Sequence, residues 1–225
     1  MKPEWVTFDC YGTLVDWETG IRTVLNQIIS EKKAKVRIDD LLKAREDAEF
    51  ELIQSPYKSY REFLHLSLQE ACRRFHVPYS PRDGVRLAES IPTWPVFKET
   101  KPALEQLAGK CRLGIISNID TDIIEATKAK IGVQFALTVT AQEAGAYKPS
   151  TKPFEVTLQK LGCPPDRVLH VSSGFKYDIP PAHRMGFSTA WVNRKKEAKP
   201  SGLQADHEFR SLTELAEYIT DLLSP

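Results

Sequence analysis

The stretch FDCYGTLVDW, residues 8–17, sets a single carboxylate, Asp9, between a short apolar run and a turn built on Gly12 and Thr13. In an α/β protein an acid at that point stands at the tip of a strand, where reactive groups are displayed. Two positions on, where a second carboxylate would complete an acid/base pair, the chain has Tyr11. A lone acid suits covalent catalysis, in which a carboxylate attacks an electrophile held in line and a leaving group departs. Other residues could serve such a step. Thr13 and Ser117 offer hydroxyls for holding an anion, the Asn118 amide can orient a substrate, and Lys148 in GAYKPSTKPFE supplies a positive charge. Ser172 and Ser173 end a further apolar run, RVLHVSS. Singly, each has a structural explanation; an Asp in a turn usually forms or caps that turn. Their order and spacing point to one site.

The elements that would carry these residues alternate. Trp5 to Phe8 reads as a short buried strand. From about residue 18 to 92 no strand is evident, and the apolar residues recur at helical spacing. IRTVLNQIIS, IDDLLKAREDAEFELIQ, SYREFLHLSLQEACRRF and SPRDGVRLAESI give four helices, a self-contained block inserted after the first strand. After PTWP, strands (CRLGIISN, FALTVTAQ, RVLHVSS, STAWVNR) alternate with helices (ETKPALEQLAGK, TDIIEATKAKIG, KPFEVTLQKLG, SLTELAEYITDLL), with DIPPAHRMG a helical or turn segment. Such alternation implies a parallel sheet covered on both faces, with ligands at the carboxyl ends of its strands. The expected division is a core of residues 1–16 and 94–225 with an inserted helical domain of 17–93.

Bulk properties narrow the function classes. The 225 residues carry 31 basic and 30 acidic side chains, a formal net charge of +1. That balance gives no electrostatic case for nucleic acid or an anionic membrane. The four cysteines are scattered without a CxxC or Cys/His cluster, so neither a zinc site nor a disulfide framework is suggested. MKPEWVTFD is too short and too charged for a signal peptide, and no apolar run approaches membrane-spanning length. The expectation is a cytoplasmic enzyme of a small molecule, with a homodimer left open.

Taken together, DCYGTL, ISN, YKP and VSSGFKYDI, in that order and with a helical block after the first, resemble the four motifs of the haloacid dehalogenase superfamily. The resemblance spans essentially the whole chain. It implies a Rossmann-like core and a helical cap closing over Asp9 as nucleophile. Superfamily phosphatases carry a second Asp two residues after the first, which protonates a departing alkoxide. General acid help of that kind contributes roughly 100- to 10,000-fold. A tyrosine, with a phenol of ordinary pKa about 10, replaces it poorly. A halide needs no proton to leave. Ser173 also stands where phosphatases place an acid that helps hold magnesium, and fewer carboxylates bind a hard dication less well. DxYGTL with VSS therefore resembles the L-2-haloacid dehalogenase branch, whose members work without metal or other cofactor.

That resemblance implies a two-step reaction. Asp9 attacks C2 of a 2-haloalkanoate, displacing halide and forming an ester, which water then hydrolyses to the 2-hydroxy acid. Ser117, with backbone amides, would hold the substrate carboxylate, and Thr13, Asn118, Ser172 and Ser173 would line its site. Lys148 would restrain Asp9 or the substrate, Arg45 on the second cap helix would receive halide, and Asp178 would direct the water. The chain departs from the branch at Gly174, where the pattern has Asn, and at Tyr177, where it has Asp, with Asp178 one residue later. Phe154 replaces a frequent Tyr. A structural alternative makes Asp178 the cap of a helix beginning DIPPAHRMG. Alternative activities are opening of another small electrophile such as a strained cyclic amino acid, a residual magnesium-dependent phosphatase, or a non-catalytic binding role.

Overall fold

In a computed structural model, which describes residues 2–224, six strands form one all-parallel sheet. In chain order the elements are β1 (Trp5–Phe8), α1 (Trp17–Glu31), α2 (Ile38–Leu52), α3 (Tyr60–Arg74), α4 (Pro81–Ser90), α5 (Thr100–Ala108) and β2 (Arg112–Ser117). There follow α6 (Thr121–Ile131), β3 (Leu137–Thr140), the single turn α7 (Ala141–Ala144), α8 (Lys152–Leu161) and β4 (Val168–Ser172). The chain ends with α9 (Phe175–Arg184), β5 (Ser188–Val192), β6 (His207–Phe209) and α10 (Leu212–Leu223). The strand order is β3-β2-β1-β4-β5-β6, the doubly wound Rossmann-like order, and its direction reverses between β1 and β4. Asp9 follows one of those two strands and Ser173 the other, so the reversal point lies between the two motifs.

The period-two pattern of the strands sorts the core into two layers. Val6 and Phe8 of β1, Leu113 and Ile115 of β2, and Leu169 and Val171 of β4 face one apolar layer with α5, α6 and α10. Trp5, Ile116 and Val168 face the other, with Phe154 of α8 and Ala182 of α9. On that second side His170 packs edge-on against Phe154, with ring centroids 5.1 Å apart. Helices therefore cover both faces, as the alternation requires.

Helices α1–α4 pack on one another through the stripes read from the sequence: Ile21, Val24, Leu25 and Ile28; Leu41, Leu42 and Ala48; Phe63, Leu64, Leu68 and Ala71. The chain leaves and re-enters the sheet layer through two segments held together. The Asp16 N–H donates to the Pro95 carbonyl (2.8 Å), that of Phe97 to the Leu14 carbonyl (3.1 Å), and the Thr100 hydroxyl to the same carbonyl (2.8 Å). Helix α3 is joined to the core at its start, where the Asp120 carboxylate accepts from the backbone N–H groups of Tyr60 (2.8 Å) and Arg61 (3.2 Å).

Two differences from the sequence expectations concern local structure. Strand β6 in DHEFR, three residues long, is too short for a periodic signal. Helix α9 begins at Phe175, not at Asp178, so Asp178 lies in its first turn and is not its N-cap. Its carboxylate is turned onto three side chains of the core instead.

Candidate active site

Strand β1 ends in a turn that only glycine can make. Gly12 has φ +104°, and a Cβ there would stand 3.0 Å from Trp17 Nε1 and 3.1 Å from Ser173 Oγ. The turn brings Thr13 back onto Asp9, whose Oδ2 accepts the Thr13 hydroxyl at 2.9 Å. Thr13 Oγ1 in turn accepts the Ser173 N–H (2.9 Å), tying the β1 and β4 loops together. Arg194 braces the same turn by donating to the Thr13 carbonyl (2.9 Å) and to Glu99.

Lys148 lies at the centre, 1% exposed. Its Nζ donates to Asp9 Oδ1 (3.0 Å), Asp178 Oδ1 (2.6 Å) and the Ile116 carbonyl (2.8 Å), so all three protons have acceptors. The lysine loop is held by Asn118, whose side chain donates to the Lys148 carbonyl (2.9 Å) and accepts from its N–H (2.7 Å). Asn118, expected on the substrate, thus has its amide engaged with the main chain that presents the lysine.

Asp178 is enclosed. Its Oδ1 also meets His170 Nε2 at 2.8 Å, and its Oδ2 accepts the Ser172 hydroxyl at 2.9 Å. His170 Nδ1 lies 3.0 Å from the Thr7 hydroxyl. Nε2–H donates to Asp178, and Nδ1 meets the Thr7 hydroxyl, which can either donate or accept. Ser172 Oγ also accepts the Gly174 N–H (2.9 Å), so Ser172, expected to touch substrate, is part of this buried floor.

The charges follow from the geometry. Burial pushes the Asp9 carboxyl up, the Lys148 ammonium pulls it back and Asp178 adds to the rise, leaving it above the ordinary aspartate range. Burial acts upward on Asp178 too, but there Lys148 and His170 outweigh it and hold the carboxyl below its usual value. Burial disfavours the Lys148 ammonium, yet the two carboxylates hold its pKa above normal. In this floor Lys148 stands between two carboxylates, of which Asp9, 8% exposed against 1% for Asp178, is the less buried. Tyr11 does not replace the missing acid. Its hydroxyl bonds Thr127 of α6 (2.8 Å), and burial pushes the phenol well up.

On the helical side, α2 and α3 carry Arg45, Glu49, Phe50 and Tyr60, the first two and Tyr60 bonded to one another. Phe50 stands edge-on to Tyr177, with centroids 5.2 Å apart, and Lys176 lies 3.9 Å over the Phe50 ring. Among the described residues, two buried polar atoms here lack a partner, Ser117 Oγ and Arg45 Nε. The structure thus brings Asp9, Thr13, Lys148, Ser172, Ser173 and Asp178 into one bonded network. Ser117 lies at the end of the strand next to β1, and Arg45 lies apart on the helical side. His170 and Thr7 are the members of this network that sequence reasoning missed, a lone His and a lone Thr inside apolar strands being the available signals; Glu49, which pairs with Arg45 on the helical side, was missed as well.

A sequence-family profile of haloacid dehalogenase-like hydrolases matches residues 3–186. The chain is 26% identical over 214 residues to (S)-2-haloacid dehalogenase 2 of Pseudomonas sp. (strain CBS-3), covering 93% of each. Its structure is similar to that of the L-2-haloacid dehalogenase RSc1362, with TM-score 0.88, 21% identity and coverage of 97% of this chain and 99% of that one. It is also similar to the L-2-haloacid dehalogenase of Xanthobacter autotrophicus with chloropropionic acid covalently bound. There the TM-score is 0.81 and the identity 19%, over 96% of this chain and 98% of that one.

Proposed function

The chain belongs to the haloacid dehalogenase-like hydrolases, and on that premise we propose that it removes halide from small 2-haloalkanoic acids through an ester on Asp9. The observation that carries this reading is the charge arrangement around Asp9: one desolvated carboxylate at the end of β1, no acid at position 11, and a buried ammonium shared with Asp178. A relative that matches nearly end to end, (S)-2-haloacid dehalogenase 2, is named for the same reaction.

In the first step an Asp9 oxygen attacks C2 from behind the halogen, the C–O bond forms and halide departs with the bonding pair. Loss of water around Asp9 strengthens it as a nucleophile, and no proton is needed by the leaving group. Ser117 Oγ, buried without a partner, supports a role in receiving the substrate carboxylate, because an unpaired buried hydroxyl is costly until a ligand satisfies it. In the second step water adds to the carboxyl carbon of Asp9. Lys148 and Thr13 already donate to the Asp9 oxygens, so they are placed to hold the charge that develops on the ester carbonyl. Asp178 Oδ2 accepts one hydrogen bond, from Ser172, and its remaining lone pair makes Asp178 the candidate acceptor of the water's proton. Asn118 and Ser172 act by positioning Lys148 and Asp178. Residues 17–93 form the cap that closes this site, and 1–16 with 94–225 the core.

The donor set does not fit magnesium as a phosphatase would hold it. Asp9 and Asp178 both face the Lys148 ammonium, and Ser173, which bonds Thr13, stands where a further carboxylate would be needed. Purified protein given 2-chloropropionate or 2-bromopropionate should release halide in the presence of a strong chelator. Magnesium-dependent phosphate release from simple phosphoesters, without halide release, would replace this reading with the phosphatase one.

A further inference from the structure

The buried guanidinium on the helical side is already paired. Arg45, 3% exposed, donates through Nη1 to Glu49, one turn further along α2. Glu49 is also fixed from α3, where the Tyr60 hydroxyl donates to its other oxygen at 3.1 Å. Its side chain is only 16% exposed, so water screens the pair weakly. Phe50, the next residue of α2, stands edge-on to Tyr177 and carries Lys176 over its ring, so this turn of α2 packs on the start of α9. Arg45 Nε is buried without a partner. A buried guanidinium would ordinarily meet a carboxylate with two donors in parallel. Here one donor holds Glu49 and another is left without an acceptor.

A bare guanidinium in such a place would bind a departing anion tightly and retain it. Resting on the reading of the site as a halide-releasing one, we propose that Glu49 is a positioning residue that sets the halide affinity of Arg45. Its link to Arg45 aims the orphaned Nε, while its negative charge offsets the attraction of the guanidinium for halide, so the ion is received and then released. Tyr60 holds Glu49 to this task and prevents it from turning away. The specificity consequence is that small, polarisable leaving anions are accepted, whereas a second full negative charge on the departing group is disfavoured.

The test is chloride binding to the substrate-free protein, read by chlorine-35 NMR line broadening, in the parent, E49Q, E49A, R45Q and the double variant R45Q/E49Q. Glutamine keeps an acceptor for Arg45 and Tyr60 and removes only the charge; alanine removes both. E49Q should bind chloride more tightly than the parent by on the order of tenfold, the scale expected from removing one charge beside a weakly screened anion. E49A should shift in the same direction, and the gain should vanish in R45Q/E49Q. Chloride inhibition of haloacid turnover should tighten by the same factor in E49Q. Unchanged or weaker chloride affinity in folded E49Q and E49A, or a gain that persists without Arg45, would overturn the proposal. Because the titration needs no substrate, the expected chloride gain in a protein that turns over no haloacid would reject the reading of the reaction and leave the role of Glu49 standing.

Discussion

The floor of the candidate site and its helical side are built on different plans. In the floor, Asp178, His170, Ser172, Lys148 and Thr13 satisfy one another, and Lys148 has no donor left over. Beyond it, among the described residues, four buried side-chain atoms are orphaned: Ser117 Oγ at the strand end beside Asp9, Arg45 Nε on the helical side, Arg194 Nη1 behind the Thr13 turn and Thr138 Oγ1 in β3. Buried polar atoms are nearly always paired, so at the site the contrast separates groups that hold a geometry from groups that await a ligand. A preorganised floor stabilises charge without rearranging during the reaction. An unsatisfied group at the site gains most when substrate arrives.

The contrast is broken most severely at Asp9. Asp9→Asn should lower halide release by at least about 10³-fold, the scale seen when a nucleophile is lost, while the variant remains folded. Circular dichroism and a halide electrode measure the two outcomes. Retained turnover would mean that the floor presents no nucleophile. A more selective break is Asp178→Asn. Alkylation needs only Asp9, but ester hydrolysis needs a base for the water, the role proposed for Asp178, so the second step should slow more than the first. Intact-protein mass spectrometry after brief incubation should then show an adduct of the substrate's acid moiety, absent from Asp9→Asn. A destabilised variant with unchanged turnover per folded molecule would reduce Asp178 to a structural role. The smallest of these effects belongs to the orphaned hydroxyl. Ser117→Ala should raise KM by about 10- to 100-fold through loss of a hydrogen bond to a charged group, with kcat changed far less. Because the Ser117 hydroxyl has no partner in the free protein, the substitution should leave the melting temperature nearly unchanged; a large drop would place Ser117 with the floor.

Much of this was legible in the chain and the reasons are physical. Asp9, Ser117 and Ser173 are polar residues that close or follow apolar runs, and in a parallel sheet such residues gather at the carboxyl edge; Lys148, in a loop after α7, was legible only through its motif. The helical block showed its apolar stripes because amphipathic helices must. What the sequence concealed depends on direction and on distant partners. A Ser-Asn pair after a strand does not reveal that the Asn118 amide grips the main chain of Lys148, thirty residues on. His170 is a lone polar residue inside an apolar strand, and nothing local in the sequence places Asp178 and Thr7 on its two nitrogens. Glu49 lies four residues after Arg45, the spacing of an ordinary exposed helix pair, and only burial sets it apart. Helix α9 begins three residues before Asp178, so the two prolines that suggested a helix start there lie inside the helix.

The central claim is that the oxygen transferred to the product comes from Asp9. A single turnover in water enriched in oxygen-18, with enzyme in excess over 2-chloropropionate, tests it directly. The account predicts an unlabelled 2-hydroxy acid and one oxygen-18 atom in the peptide containing Asp9, found by mass spectrometry after digestion. Label in the product, with none in that peptide, would show that water attacks the substrate carbon itself and would contradict the ester mechanism.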